Sequence, residues 1–145
     1  MNQKLIMTRG LPASGKSYWA KEQVKKSQGK VKRVNKDDLR AMLDDSVYSK
    51  ANEKFVLTVR DEIIMQALSG GLSVIVDDTN FGAKHERRLQ ELADAHNVEF
   101  EINESFLQVP IATCIERDKQ RTAEVGEKVI NGMYYRHVHK RVKND

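Results

Sequence analysis

The sequence predicts an α/β fold in which a parallel sheet is covered by helices on both faces. Short apolar runs alternate along the chain with amphipathic stretches of helical spacing, which is the pattern of such a sheet. No repeat, linker or low-complexity segment interrupts this alternation. A length of 145 residues fits one domain with one core, so we expect residues 1–145 to form a single domain.

Four segments are candidate strands, at residues 5–8, 31–34, 72–76 and 100–107. The third is the most uniformly apolar, and we expect it to be buried on both faces. The fourth alternates polar and apolar residues, which is typical of a half-exposed strand.

Helices are predicted at residues 49–69, 84–96 and 127–142, and in the segment that begins at Pro110. The pair Gly70 and Gly71 should end the first of them. We interpret the apolar positions of these helices as core: Phe55, Val56, Val59, Ile63, Ala67, Leu68, Leu89, Leu92, Ala93, Ile111, Cys114, Ile115, Val129, Ile130, Met133, Tyr134 and Val138.

Composition narrows the class of protein. Charged residues make up 32% and hydrophobic residues 39% of the chain, an ordinary balance for a globular protein. The net charge of +4 weakly favours anionic ligands. A single cysteine cannot form an intrachain disulfide. No apolar run approaches the ~20 residues that a membrane span needs, and the first residues do not show the pattern of a signal peptide. We therefore expect a cytoplasmic protein without membrane contacts.

Residues 10–17 read GLPASGKS and match the phosphate-binding pattern G-x-x-x-x-G-K-S/T between a predicted strand and a predicted helix. Gly10, Ser14 and Gly15 let backbone N–H groups surround phosphate oxygens, and the helix N-terminus adds its dipole. Lys16 should reach the β- and γ-phosphates, and Ser17 should ligate Mg²⁺. The motif predicts a P-loop NTPase that binds ATP, with Lys16 also acting in catalysis. We expect the strand order 2-3-1-4.

Polar residues follow the second and third strands at the edge where open α/β sheets bind ligands. Asp37 and Arg40 lie three apart, on one face of a helix if one begins there. Asp37 could accept the proton of an incoming hydroxyl while Arg40 holds a substrate phosphate; alternatively, Asp37 or Asp38 only caps the helix. Asp78 is a candidate for magnesium or substrate binding, with Asn80 beside it, and the alternative is a turn that caps the next helix.

The segment near the end of the chain is predicted to be a helical lid. Arg117 and Arg121 lie four apart on a helix that leads into the glycine-containing residues 122–128. Lid arginines can close over ATP and stabilise transition-state charge. The alternative is a solvated helix face on which these arginines pair with Glu116 or Asp118.

These motifs together resemble the 5′-kinase domain of the T-even bacteriophage polynucleotide kinase/phosphatase and its P-loop kinase relatives. The resemblance rests on GLPASGKS with Trp19 and Ala20, the segments NKDDLR and DDTN, ERRL at 86–89, and Val109-Pro110 leading to the two arginines. It implies that Asp37 is the general base, that Arg40 contacts substrate phosphate, that Asp78 is essential and that Arg121 contacts ATP phosphate. It implies a 5′-hydroxyl kinase of DNA or RNA ends, with ATP and Mg²⁺.

The chain also departs from that family. Lys36 stands where the phage kinase has arginine, Gly126 replaces a lid proline, and the chain stops at Asp145 before any phosphatase domain, from which we expect a kinase-only protein. Two other hypotheses stay open, a kinase of a small metabolite and a nucleotide-dependent switch or ATPase. The Asp37 and Arg40 pair argues against the second. The sequence also leaves three questions open: whether ATP or GTP is the donor, whether DNA or RNA is the preferred acceptor, and whether the protein self-associates.

Overall fold

The computed structural model describes residues 2–122 and 124–143. Four parallel strands form one sheet of order β2-β3-β1-β4, as predicted. The strands are β1 (Lys4–Thr8), β2 (Val31–Val34), β3 (Ser73–Val76) and β4 (Glu99–Asn103). Leu5 of β1 lies opposite Val74 on one side and Phe100 on the other.

Helices connect and cover the strands. They are α1 (Lys16–Lys26), α2 (Lys36–Asp44), α3 (Lys50–Ser69), α4 (Ala83–Ala95), α5 (Ile111–Lys119), α6 (Glu127–Met133) and α7 (His139–Lys143). A 3₁₀ turn (Ser105–Gln108) follows β4, and a π-helical turn (Tyr134–Val138) joins α6 to α7. In the described part of the chain, no helix combines the length and the apolar character that crossing a membrane requires.

The two faces of the sheet build separate cores. Val74 and Val76 of β3 pack in a cluster with residues of α3 and α4, whereas Ile75 packs against Ala20 of α1 on the opposite face. Every residue of β3 is buried, as its apolar sequence predicts, because helices cover both faces and β1 and β2 cover both edges. A third cluster joins the loop residue Leu11 to α5 and α6.

Three details differ from the sequence prediction. The fourth strand ends at Asn103, because its side-chain Oδ1 accepts from the Ser105 N–H at 3.1 Å and turns the chain into the 3₁₀ segment. The buried face of α3 is rotated from the predicted one, so that Arg60 is buried while Phe55 and Ile63 are exposed. Val129 of α6 is exposed rather than in the core.

Candidate active site

The carboxyl ends of β1, β2 and β3 open into one cleft with a volume of about 1010 Å³. The phosphate-binding loop forms one wall, and the start of α2, the end of β3 and the last turn of α5 form the others. This is the edge at which parallel α/β sheets bind ligands. The cleft brings together these predicted residues: Ser14, Gly15, Lys16, Ser17, Asp37, Arg40, Asp78, Arg117 and Arg121.

Two glycines of the phosphate-binding loop have a steric reason to be glycine. A Cβ on Gly10 would lie 2.7 Å from Cβ of Phe106 and 2.9 Å from Oγ of Ser14. Gly15 has φ +102°, a conformation that side-chain-bearing residues rarely adopt. Gly10 is thus closely packed at the base of the loop, and Gly15 gives the turn into α1.

Lys16 is buried in this loop and has no carboxylate partner in the described chain. Its Nζ donates to the Leu11 carbonyl at 2.6 Å. Burial lowers the pKa of Lys16 to about 8, although the carboxylate of Asp77 partly opposes this effect. A bound phosphate would favour the charged ammonium, so the site fits an anion.

Ser17 and Asp77 suit a magnesium ion. Ser17 lies in the first turn of α1 beside the loop, and Asp77 follows β3 with its side chain almost wholly buried. Asp77 Oδ2 accepts from Nε of Arg33 at 2.6 Å, whereas Oδ1 has no hydrogen-bond partner among the described residues. Mg²⁺ prefers oxygen ligands and often takes only one or two carboxylates beside substrate phosphates, so these residues fit it. The sequence signal of a carboxylate after a buried strand pointed to Asp78, and the structure adds Asp77 as a second carboxylate of the cleft.

At the start of α2 the helix cap is Asn35, whose side chain accepts from the Asp38 N–H at 2.8 Å. Asp37 and Asp38 therefore do not supply the cap, contrary to the alternative interpretation. The Asp37 side chain is 83% exposed, and its Oδ1 accepts from Nη1 of Arg40 at 2.7 Å. Asp37 is free of a helix-capping role and faces solvent in the cleft.

Glu53 of α3, which no sequence pattern indicated, holds Arg40 from the other side. Arg40 donates through Nε at 2.8 Å and Nη2 at 2.6 Å to the two carboxylate oxygens. This paired geometry lowers the pKa of Glu53, with the Arg40 hydrogen bonds as the main cause. Arg40 is thus held between two carboxylates, which leaves it less able to bind a substrate phosphate than its sequence position predicts.

Asp78 is buried in the cleft beside the start of α2. Its Oδ1 accepts from the Lys36 backbone N–H at 2.9 Å, while Oδ2 has no partner among the described residues. Burial raises the pKa of Asp78 to about 6, and the Lys36 ammonium only partly offsets it. The side chain of Lys36 lines the cleft and makes no hydrogen bond or ion pair with described residues.

Asn80 has a different position from the one its motif suggested. It is buried and does not line the cleft; its Nδ2 donates to the carbonyls of Thr8 at 2.8 Å and Val76 at 3.2 Å. The side chain therefore ties the end of β1 to the end of β3. Helix α4 starts only after Gly82, so the segment 78–80 does not cap it.

The predicted lid includes residue 123, which lies outside the described residues, and its flanks are held by Asp118. This buried carboxylate accepts from the backbone N–H groups of Val125 and Gly126 and from Nη2 of Arg121 at 3.0 Å. Burial raises the pKa of Asp118, but these donors outweigh it and lower the pKa overall. Arg121 thus pairs with Asp118 as the alternative interpretation expected. Asp118 thus links Arg121, before residue 123, to Val125 and Gly126 after it.

Arg117 faces the phosphate-binding loop. Its Nη1 lies 3.9 Å from the position that a Cβ on Gly15 would take, and Arg117 makes no ion pair with described residues. Arg117 is therefore available to an anion that binds the loop.

One known family matches most of this chain. Residues 5–138 match the family model AAA_33, described as an AAA domain. This chain belongs to that AAA domain family. The match covers the sheet apart from Lys4 and includes every residue of the cleft, and the sheet order and flanking helices are those of a P-loop kinase fold.

Individual relatives point to kinases. The chain is 30% identical over 135 residues to an L-seryl-tRNA(Sec) kinase of Methanococcus maripaludis, covering 90% of this chain and 51% of that protein. A chain of the Pnkp1/Rnl/Hen1 RNA repair complex superposes with TM-score 0.71 at 22% identity, over 99% of this chain and 46% of that one. The APS kinase CysC of Mycobacterium tuberculosis, in complex with AMPPNP and APS, has TM-score 0.60 at 21% identity, over 81% and 69%. The chain spans about half the length of the first two.

Proposed function

We propose that this protein transfers the γ-phosphoryl group of ATP to the 5′-hydroxyl end of a nucleic acid. The observation that carries the proposal is Asp37, an exposed carboxylate held in the cleft by Arg40 and relieved of helix capping by Asn35. A switch or ATPase without an alcohol acceptor has no need of such a carboxylate. Asp37 is in a position to accept the proton of an acceptor hydroxyl.

The donor side follows from the phosphate-binding loop. Lys16 and Arg117 are the cations without carboxylate partners on this side, and they can stabilise charge on the transferring group. Arg121 would join them once the lid closes over ATP. Ser17 and Asp77 would hold Mg²⁺, which neutralises phosphate charge when bound.

On the side of the cleft that holds Asp37 and Asp78, here called the acceptor side, Lys36 is the one cation without an ion-pair partner among the described lining residues. Because Arg40 is bound by Glu53 and Asp37, we infer that Lys36 rather than Arg40 contacts the phosphate next to the reacting sugar. The role of Arg40 is then to hold Asp37. This replaces the substrate contact that the sequence predicted for Arg40.

A basic path that would extend the acceptor contact along Arg33, Lys84, Arg87 and Arg88 receives less support. Arg33 pairs with Asp77 and Asp38, and Arg88 pairs with Asp61 and Glu91. Lys84 and Arg87 are exposed on α4 and make no ion pair with described residues.

Two relatives support a nucleic-acid acceptor, since one is a tRNA kinase and one belongs to an RNA repair complex. A second candidate is a kinase of a small phosphorylated alcohol. Two observations favour it: Lys36 is the one cation without an ion pair among the described residues that line the acceptor side, and the fold resembles that of APS kinase.

A transfer assay with γ-labelled ATP separates these candidates. The acceptors are a 5′-hydroxyl oligonucleotide of DNA or RNA, a 3′-phosphorylated mononucleotide, a nucleoside and a sugar. We expect the oligonucleotide to react best. If the mononucleotide reacts equally well, a single phosphate contact suffices; if nucleosides or sugars react best, the nucleic-acid proposal fails.

Lys36→Gln tests the acceptor contact. We expect it to raise KM for the oligonucleotide about tenfold, as for the loss of one charged contact, with KM for ATP unchanged. Lys32→Gln is the matched control, because Lys32 is exposed on the neighbouring strand and lies outside the cleft. Equal effects of both substitutions would contradict a specific role of Lys36.

A further inference from the structure

Arg9 is a buried arginine at the end of β1 that takes no part in the chemistry above. Its side chain is 5% exposed and does not line the cleft. Nε donates to the Asn80 carbonyl at 3.0 Å, Nη1 to Glu104 at 2.5 Å and Nη2 to Glu86 at 2.6 Å. One guanidinium thus joins β1, the loop after β3, helix α4 and the segment after β4.

Backbone contacts at the same junction involve the two loops that form the cleft. The Gly10 N–H donates to the Thr79 carbonyl at 3.3 Å, and Arg9 N–H donates to the Asn103 carbonyl at 3.0 Å. The close packing of Gly10 on Phe106 lies beside them. The start of the phosphate-binding loop therefore rests directly on the loop that carries Asp78.

The charges explain why Arg9 must keep its partners. A buried guanidinium loses its water and is stable only when carboxylates and carbonyls replace it. Glu86 and Glu104 are 44% and 46% exposed, so each can regain water if it loses Arg9. If one glutamate is replaced, the Arg9 guanidinium must form a hydrogen bond with another group, and the segments that Arg9 joins must shift.

We propose that Arg9 is a positioning residue that fixes the Asp78 loop, residues 77–80, against the phosphate-binding loop and so aligns acceptor with donor. The inference rests on the proposed function in one respect, because alignment matters only if a group is transferred. ATP binding uses contacts within the phosphate-binding loop, and these do not involve the glutamates. The effect should accordingly fall on kcat rather than on ATP affinity.

Glu86→Gln and Glu104→Gln test this without removing the buried charge. We expect each to lower kcat about tenfold, since small misalignments in transfer are costly, while the Kd for ATP stays within about twofold. The double variant should lose little more than either single variant, because both act through Arg9. Glu101→Gln is the matched control. Glu101 of β4 forms an ion pair with Lys4 of β1 away from the Arg9 junction, and it is about as exposed as Glu86 and Glu104.

A second measurement does not depend on the acceptor. Amide hydrogen exchange at residues 77–81 should become faster in both glutamine variants, and unchanged elsewhere in the sheet, whichever acceptor is used. If the wild type transfers phosphate to none of the acceptors, the proposed function fails while exchange still tests the junction. Unchanged exchange, or kcat losses explained by a smaller folded fraction in circular dichroism, would overturn the positioning role.

Discussion

Replacing Asp78 with asparagine should make the protein more stable and less active. Asp78 is 8% exposed, and burial raises its pKa from the ordinary 3.8 to about 6. Since one pKa unit corresponds to about 1.4 kcal/mol, keeping Asp78 ionised in the folded protein costs about 3 kcal/mol at most. Asparagine removes this cost and can still accept the Lys36 N–H through its Oδ1.

The size of the effect depends on pH. Well below pH 4 the carboxyl is protonated in the folded and unfolded states, and Asp78→Asn should change stability little. Between about pH 4 and pH 6 the carboxyl ionises in the unfolded state but stays largely protonated in the folded state, so the wild type loses stability over this range and the advantage of the variant reaches its full value just above pH 6. Above pH 7 the variant should be more stable by up to about 3 kcal/mol.

Urea unfolding at pH 4.5 and pH 8 measures this difference. Asp118→Asn is a control of opposite sign, because its donors lower the pKa of Asp118 and its ionised form stabilises the fold above pH 4. That variant should be less stable at pH 8. If Asp78→Asn is also less stable at pH 8, Asp78 is a stabilising carboxylate and the argument from burial is wrong. Transfer by Asp78→Asn should fall despite its greater stability.

Three further substitutions test the site. Lys16→Ala should abolish transfer with the fold intact in circular dichroism, and normal activity would contradict the phosphate-binding assignment. Asp37→Asn should lose transfer with near-normal ATP affinity by calorimetry, whereas the neighbouring Asp38→Asn keeps activity; full activity of Asp37→Asn would exclude the base. Arg121→Ala should lower kcat by an amount that corresponds to up to about 4 kcal/mol of activation free energy, and it should weaken ATP binding less. An unchanged kcat would show that the only role of Arg121 is its ion pair with Asp118.

The parts of this structure that follow from local rules were predictable. The phosphate-binding loop needs particular residue types at fixed spacing, and an apolar run such as that of β3 can be buried only within the sheet. The strand order follows once the loop identifies the fold. The same is true of the end of α3, where Gly71 adopts the positive φ that ends the helix.

The features that the sequence did not predict depend on contacts between segments that are distant along the chain. Glu53 lies thirteen residues from Arg40 on another helix, and no motif links them. The buried face of α3 was predicted wrongly because it contains Arg60, and a charged residue among apolar ones is normally expected to face solvent. The turn that ends β4 depends on two hydrogen bonds from Ser105 to the Asn103 side chain, which the alternation of polar and apolar residues cannot indicate.

The pairing of charges around the cleft divides its cations into two groups. Arg40 and Arg121 are held by carboxylates and are thereby oriented, whereas Lys16, Lys36 and Arg117 have no carboxylate partner among the described residues. The unpaired group can neutralise substrate phosphates without breaking an ion pair.

Only Lys36 of that group lies on the acceptor side, and this sets how acceptor affinity should depend on salt. One single-strand phosphate contact gives a slope of about −0.7 in log K against log salt. Contacts from Lys84 and Arg87 would steepen it to about −2. We expect the shallow slope, and we expect Lys36→Gln to bring it close to zero. A steep slope that survives Lys36→Gln would mean that the acceptor binds along α4 instead.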